Sequence, residues 1–452
     1  MTLSRRDFGR LLAGASATAA LTQIGISAAI ADTSSYRAMV GVFLFGGNDA
    51  WNMVVPNDDR YAAYASQRGA IALKKESLVP LTGTAFGLNA AMAPLKTAWD
   101  EGALSVVLNT GTLFQPLTKS LYQTRPDLRP LNLMSHEDQQ NQWQGMRTRE
   151  KNLDGYMGRI LDRADAAELP PLVSIAGSQL ALLGSRKSPL ILPSSGSITR
   201  TGYNAASTDA AVVARQAALN TFSDASAFGA VTDLTSRGMS SAYAQAATAN
   251  TIISSTTSVV DQYFKNPTTG AALTSDISRQ LLRAARMIEA RNTLGHAKQT
   301  FFVSQGGYDT HTNEVAVHAS LYADLAMALA GFYNAMKALG LANNVTAFTM
   351  SDFGRVFKAN ASAGTDHAWG SNHLVLGAGL ASRKVHGAYP DTAFGGPDDA
   401  YNDGRWIPTI AVEEYVGAIA QWYGVSATDL PYVFPNWATW NGGGRGPVPL
   451  FG

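Results

Sequence analysis

Four short segments combine aspartate or histidine with glycine. They are Gly46-Gly47-Asn48-Asp49-Ala50-Trp51-Asn52, Gly306-Gly307-Tyr308-Asp309-Thr310-His311, Ser351-Asp352-Phe353-Gly354-Arg355, and the run from Gly364-Thr365-Asp366-His367 to His373. Carboxylate oxygens and imidazole nitrogens from several loops can surround one or two divalent ions such as zinc, manganese or calcium. The glycines allow close approach of the backbone. Asp309 and His311 are two residues apart, so in extended chain both side chains leave one face. The chain has 7 histidines, and His311, His367 and His373 fall inside two of these segments. Asp49, Asp309, His311, Asp352, His367 and His373 are therefore the candidate metal ligands. Asp49 and Asp352 have a plainer alternative as helix N-caps, and His367 as a satisfied loop histidine. Arg355 could clamp an anionic group bidentately. His296 and His318 fall on helical patterns and read as solvated or capping residues.

A fifth segment, Leu133-Met134-Ser135-His136-Glu137-Asp138-Gln139-Gln140, sets a hydroxyl beside a histidine and then a row of amides. Ser135 could be a nucleophile if a metal or a base lowered its proton affinity. It reads first as an N-cap, because Ser135 with Asp138 three residues on resembles a capping box. His136, Asp138 and Gln139 are candidates for lining the cleft. A helix N-terminus at this point would attract an anion.

The elements that must position these residues follow from apolar runs. Ala38 to Phe45 is rich in strand formers and stops at Gly46-Gly47. Leu104 to Asn109, Thr300 to Gln305, Val345 to Met350 and His373 to Gly377 read as further strands. Continuous apolar strands predict a parallel sheet covered on both faces. Helical periodicity over Ile277 to His296, Leu321 to Leu341 and Ala411 to Tyr423 alternates with them, which predicts a doubly wound, mostly parallel α/β sheet flanked by helices. The Ala/Ser/Thr-rich stretch from about 201 to 257 has no strand signal and reads as a helical insertion, a lid or cap. In open α/β sheets ligands bind outside the carboxyl ends of the strands; three of the five segments fall there, and the Gly364 to His373 run falls just before the fifth strand.

The first 31 residues read as an address. Ser4-Arg5-Arg6-Asp7-Phe8 precedes a weakly apolar run that ends in Ala29-Ile30-Ala31, a small-x-small cleavage pattern before Asp32. Paired arginines ahead of such a run predict a twin-arginine signal, a meeting with that export machinery, and a periplasmic or secreted product. No later stretch reads as a spanning helix, so no stable membrane span is expected after cleavage. Residues 32–452 form the mature domain. With 35 Lys+Arg against 34 Asp+Glu, the formal charge is +1, which argues against nucleic acid as a partner. The chain has no cysteine, which excludes disulfides, thiol nucleophiles and iron–sulfur clusters.

The chain resembles the DUF1501 family of exported proteins. The likeness rests on Phe43-Leu44-Phe45-Gly46-Gly47-Asn48-Asp49, Ser135 to Gln140, Gly306 to His311, Ser351 to Arg355 and Gly364 to His367, in that order. That family is similar in turn to the alkaline phosphatase and sulfatase superfamily. The second resemblance implies an alkaline-phosphatase-like fold, a two-metal site and a hydroxyl or formylglycine nucleophile. By motif, Asp49, Asp309, His311, Asp352 and either His367 or His373 would be its metal ligands. Phe353 stands where that superfamily has a metal-binding histidine, and without cysteine no formylglycine can form there. The expectation is a metal-dependent hydrolase of phosphate or sulfate esters, with Ser135, His136, Asp138 and Arg355 around the reacting group. The alternative is a non-catalytic periplasmic protein that holds an anionic small molecule or polysaccharide.

Overall fold

A computed structural model describes residues 36–163, 171–186, 188–200, 204, 206–223 and 230–452. The expected export signal, residues 1–31, lies outside the described residues. Strand β1 (Arg37–Leu44) is buried at every position after its first. Ala38, Val40, Val42 and Leu44 enter one core cluster, whereas Met39 and Phe43 enter another. An unbroken apolar run split with period two is what a strand covered on both faces requires.

The remaining strands are β2 (Val54–Pro56), β3 (Val79–Pro80), β4 (Phe86–Leu88), β5 (Leu104–Gly111), β6 (Leu172–Ser174), β7 (Leu190–Ile191), β8 (Lys298–Gln305), β9 (Val345–Ser351), β10 (Ser371–Leu376), β11 (Val385–His386) and β12 (Ile410–Ala411). Strands β2, β4 and β3 form a small antiparallel sheet. Among the described residues the main sheet runs β11-β5-β10-β9-β1-β8-β6-β7, with β12 also on β5. Its pairings are parallel except at β10, which runs antiparallel to β5 and β9. The fold is thus a mixed, mostly parallel sheet between helical layers, as the alternating pattern predicts. The reversal of β10 has no signature in its own residues.

Helices Asp276–Glu289 and Glu314–Ala338 pack on the face that Val40 and Val42 enter. Helices Tyr156–Asp162 and Val412–Tyr423 pack on the other. The first helix ends at Glu289, seven residues short of the expected His296, and His296 is buried rather than solvated. Contrary to expectation, Glu314–Ala338 is long and apolar enough by length and composition to cross a membrane. It lies against the sheet, burying Tyr322, Leu325, Leu329, Phe332 and Met336. Truncating Leu325 to alanine would cost about 2–5 kcal/mol through lost burial and the cavity left. Between 201 and 257 the described residues form two helices, Ala210–Ser223 and Ala230–Ile253. The second reaches the core through Ala249 and Ile253.

Leu44 pairs with Gln305 on one side and with Ser351 on the other. The ends of β1, β8 and β9 therefore share one sheet edge. Because β10 runs the opposite way, the loop before it, residues 364–370, reaches that same edge.

Candidate metal centre

The loops after β1 and β8 touch. Gly46 and Gly47 have φ of +113° and +82°, a region that side chains disfavour. A Cβ on Gly46 would sit 2.4 Å from the Asp309 amide nitrogen. Glycine is thus required where the two loops meet, and that contact sets the position of Asp309.

Three imidazoles converge on the Asp309 carboxylate. His311 Nε2 lies 3.0 Å and His367 Nε2 3.1 Å from Oδ1, and His136 Nε2 lies 3.4 Å from Oδ2. The donor atoms of His136, Asp309 and His367 all fall within 4.8 Å of one another. Each ring is held by its other nitrogen: His136 Nδ1 is 2.6 Å from Asp352 Oδ2, His311 Nδ1 is 3.2 Å from Asp366 Oδ1, and His367 Nδ1 is 2.9 Å from the Met134 carbonyl. Each ring can donate from Nδ1 to its acceptor; an Nε2 that also carries a proton donates to Asp309, and loss of that proton frees its lone pair for an ion. Metal-binding histidines are oriented by the same kind of partner. His136 Nε2 is buried and makes no hydrogen bond. An orphaned nitrogen, two further imidazoles and a carboxylate make a donor set that fits a divalent ion of the zinc or manganese type.

Charge reinforces the geometry. Partial burial opposes ionisation of Asp309, but the Arg355 guanidinium, 2.7 Å away, and His367 outweigh it and lower the carboxyl to about 2. The hydrogen bond to Asp352 raises the His136 pKa against the effect of burial. Burial lowers that of His367, and the charges of His136 and Arg355 add to the effect.

The remaining expected residues are placed differently. Asp352 is fully buried behind His136. It accepts from His136, from Gln140 Nε2 at 2.8 Å and from the Gly46 amide at 3.3 Å. It orients the His136 ring and caps no helix, since the next element after β9 is β10. Asp49 is fully buried against Arg68, away from the imidazoles, and makes no side-chain cap bond. His373 points from β10 into the core, 4.9 Å from Trp143 and 5.5 Å from Tyr415 between ring centroids. Burial there depresses its pKa to about 3. Arg355 cannot clamp a ligand: it is fully buried and donates to Gly46 O, Asp309, Thr365 O and Thr365 Oγ1. Ser135 caps helix His136–Gly145, as its spacing from Asp138 suggested, and its hydroxyl donates to Asp138 Oδ2 at 2.7 Å. Gln139 is buried on Thr112 and Gln142. Phe353 packs 4.8 Å from the His136 ring and 4.7 Å from that of His367.

A second group of polar residues gave weaker signals in the sequence. Arg68 faces two carboxylates, Asp49 and Glu314. Glu314 also accepts from Thr310, at 3.1 Å, and from Thr365. Thr365 in turn accepts from Arg355 Nε at 3.1 Å, which ties this group to Asp309. One guanidinium cannot neutralise two buried carboxylates. Burial, followed by the Asp49 charge, pushes Glu314 up to about 8. His318 is no surface residue. It is buried 2.9 Å from Thr310 Oγ1, and burial lowers its pKa to about 4. Glu314, three residues after His311, was visible as an acid near a motif; Arg68 lies in no motif.

Residues 36–403 match a family described as "Protein of unknown function (DUF1501)", and the chain belongs to that family. No curated protein matches. Among solved structures, the crystal structure of the lipoteichoic acid synthase LtaP from Listeria monocytogenes is similar with a TM-score of 0.27 and 10% identity. That similarity covers 80% of this chain and 68% of the other. At such a score it carries no argument about chemistry.

Proposed function

We propose that this DUF1501 protein is an exported, metal-dependent hydrolase of phosphate or sulfate esters, with His136, Asp309, His311 and His367 holding one divalent ion. The observation behind it is the convergence of three imidazole Nε2 atoms on Asp309, each ring fixed at Nδ1. Three nitrogen donors favour zinc or manganese over calcium, which takes oxygen ligands. Phe353, packed against both His136 and His367, offers no donor atom for a second ion. When bound, the ion supplies an acidified water and a Lewis acid for the ester oxygen. Asp309 stays ionised, held by Arg355, and so keeps its donor electrons available. His136 opens the helix His136–Gly145, whose amino-terminal dipole favours the anionic group of the ester. With Ser135 serving as the cap of that helix, the proposed nucleophile is water.

The paired arginines and the cleavage pattern before Asp32 support export by the twin-arginine route. The test is elemental analysis of protein purified from the periplasm, together with turnover of 4-nitrophenyl phosphate and 4-nitrophenyl sulfate. One equivalent of zinc or manganese is expected, with both metal and turnover lost in Asp309→Ala. Metal-free protein in both preparations would sink the mechanism. Bound metal without turnover of either ester class would favour the binding-protein alternative.

A further inference from the structure

The carboxyl ends of β6, β7 and β8 border a second cleft, of about 630 Å³. It lies on the sheet edge that carries the metal cluster. Hydroxyls of Ser194, Ser197, Thr199 and Ser304 line it with Gln280 and Asp276, among aliphatic side chains such as Ile191. No lysine or arginine is among its lining residues. Arg283 does not supply a charge there, because its guanidinium is taken by the carbonyls of Pro193 and Gly196, both at 2.6 Å. Gln280 is locked: its amide nitrogen donates to the Ser304 carbonyl at 2.9 Å and to Asp276 at 2.6 Å, and its oxygen accepts the Ser304 N–H at 2.8 Å. The Asp276 side chain is 56% exposed; it pairs with Arg279 at 3.1 Å and accepts from Gln280 and Ser194, which leaves about one of its roughly four acceptor sites for a further donor.

We propose that this cleft is a subsite for a neutral, hydroxyl-rich group, a glycosyl or polyol unit carried by the ester. The role as a substrate subsite rests on the hydrolase reading; the ligand class does not. Charge selects the class. A second anionic group would meet Asp276, whose one cation, Arg279, is already paired with it at 3.1 Å. A wholly apolar group would strip water from Asp276 and the hydroxyls without replacing its hydrogen bonds. A sugar ring offers hydroxyl donors to the carboxylate and an apolar face to Ile191, which is 41% exposed. Ser304 and Asp309 are five residues apart, a length of chain that spans at most about 17 Å. One extended substrate can therefore reach both the cleft and the cluster.

The experiment is ligand-observed saturation-transfer NMR on the full-length protein with maltose, cellobiose and trehalose, before and after zinc addition and with no ester present. At least one disaccharide is expected to bind. Its Kd should rise about tenfold or more in Asp276→Asn, as loss of charge-assisted hydrogen bonds implies. Ser197→Trp, which fills the cleft from an exposed position, should weaken binding as much. Both variants should keep the parent melting temperature and zinc uptake. No disaccharide bound by the folded protein, or equal binding in both variants, overturns the subsite. Disaccharide binding by a protein that takes up no zinc keeps the subsite and removes the hydrolase reading. Zinc uptake without disaccharide binding does the reverse.

Discussion

Two carboxylate-centred groups lie close together in this protein, joined through Thr365 and Arg355, and they do opposite things with the same residue types. At the sheet edge Asp309 keeps 45% of its side chain exposed and faces three imidazoles and one guanidinium. In the interior Asp49, Arg68 and Glu314 have no exposed side-chain surface. The first group has an imidazole nitrogen without a hydrogen bond and solvent access, as the proposed ion site requires. The second has one cation shared by two acids, so it settles by keeping a proton on Glu314. Exposure and the ratio of donors to acceptors, rather than residue type, separate a candidate ligand set from a structural brace.

The largest effect that this contrast predicts is on the brace. Arg68→Met would leave Asp49 buried and unpaired, at a cost of about 3–5 kcal/mol. The expected result is a large drop in the denaturation midpoint. A variant as stable as the parent would show that the interior group is not held by charge.

Asp352→Asn sharpens the other side. It keeps the shape of the site but weakens the acceptor that orients His136. Metal affinity should fall roughly 10–100-fold, with the melting temperature of the metal-free protein little changed. A competition titration against a zinc chelator checks this, and unchanged affinity would remove His136 from the ligand set.

The third prediction concerns pH. Glu314 has a folded pKa of about 8 against an ordinary value of 4.5. Over that window the native state binds more protons than the unfolded chain, so this residue's contribution falls as pH rises from 4.5 to 8. It is fully present below 4.5. Glu314→Gln should flatten that slope in denaturant midpoints measured at half-unit pH steps. Parallel profiles for parent and variant would contradict the shared-proton account.

The smallest effect is expected at Ser135. Ser135→Ala removes a helix cap and should cost about 1 kcal/mol, while hydrolysis stays within a few-fold of the parent. A collapse of turnover at unchanged stability would restore serine as the nucleophile.

Legibility differed between fold and site. The strands over 38–45, 104–109, 300–305 and 345–350 were readable because unbroken apolar runs ending at glycine or Ser-Asp have few other uses in a folded chain. The end of the 300–305 strand put Asp309 and His311 at the sheet edge, and the loop before β10 put His367 beside them. His136 could be placed near the cleft but not beside Asp309, since its spacing from Asp309 carries no geometric information. Arg355 was misread because a side chain's own type does not show whether its donors are already taken, whereas Ser135 is the helix cap that its spacing from Asp138 suggested.

By itself the sequence determined that four Asp/His/Gly segments would lie at strand ends, that no thiol chemistry was open, and that a sheet buried on both faces would present them. Only the tertiary structure decided which of six candidate ligands meet. His367 and His373 are six residues apart, yet the first precedes β10 and reaches Asp309, while the second sits inside the strand between Trp143 and Tyr415. Asp49 and Asp309 both follow apolar strands into glycine loops, yet only Asp309 keeps open space beside it. Backbone periodicity dictates which face of an element a side chain leaves. What that face meets depends on strand order, on the reversal of β10 and on which neighbour has already claimed each hydrogen bond, and these arise from contacts between residues hundreds of positions apart.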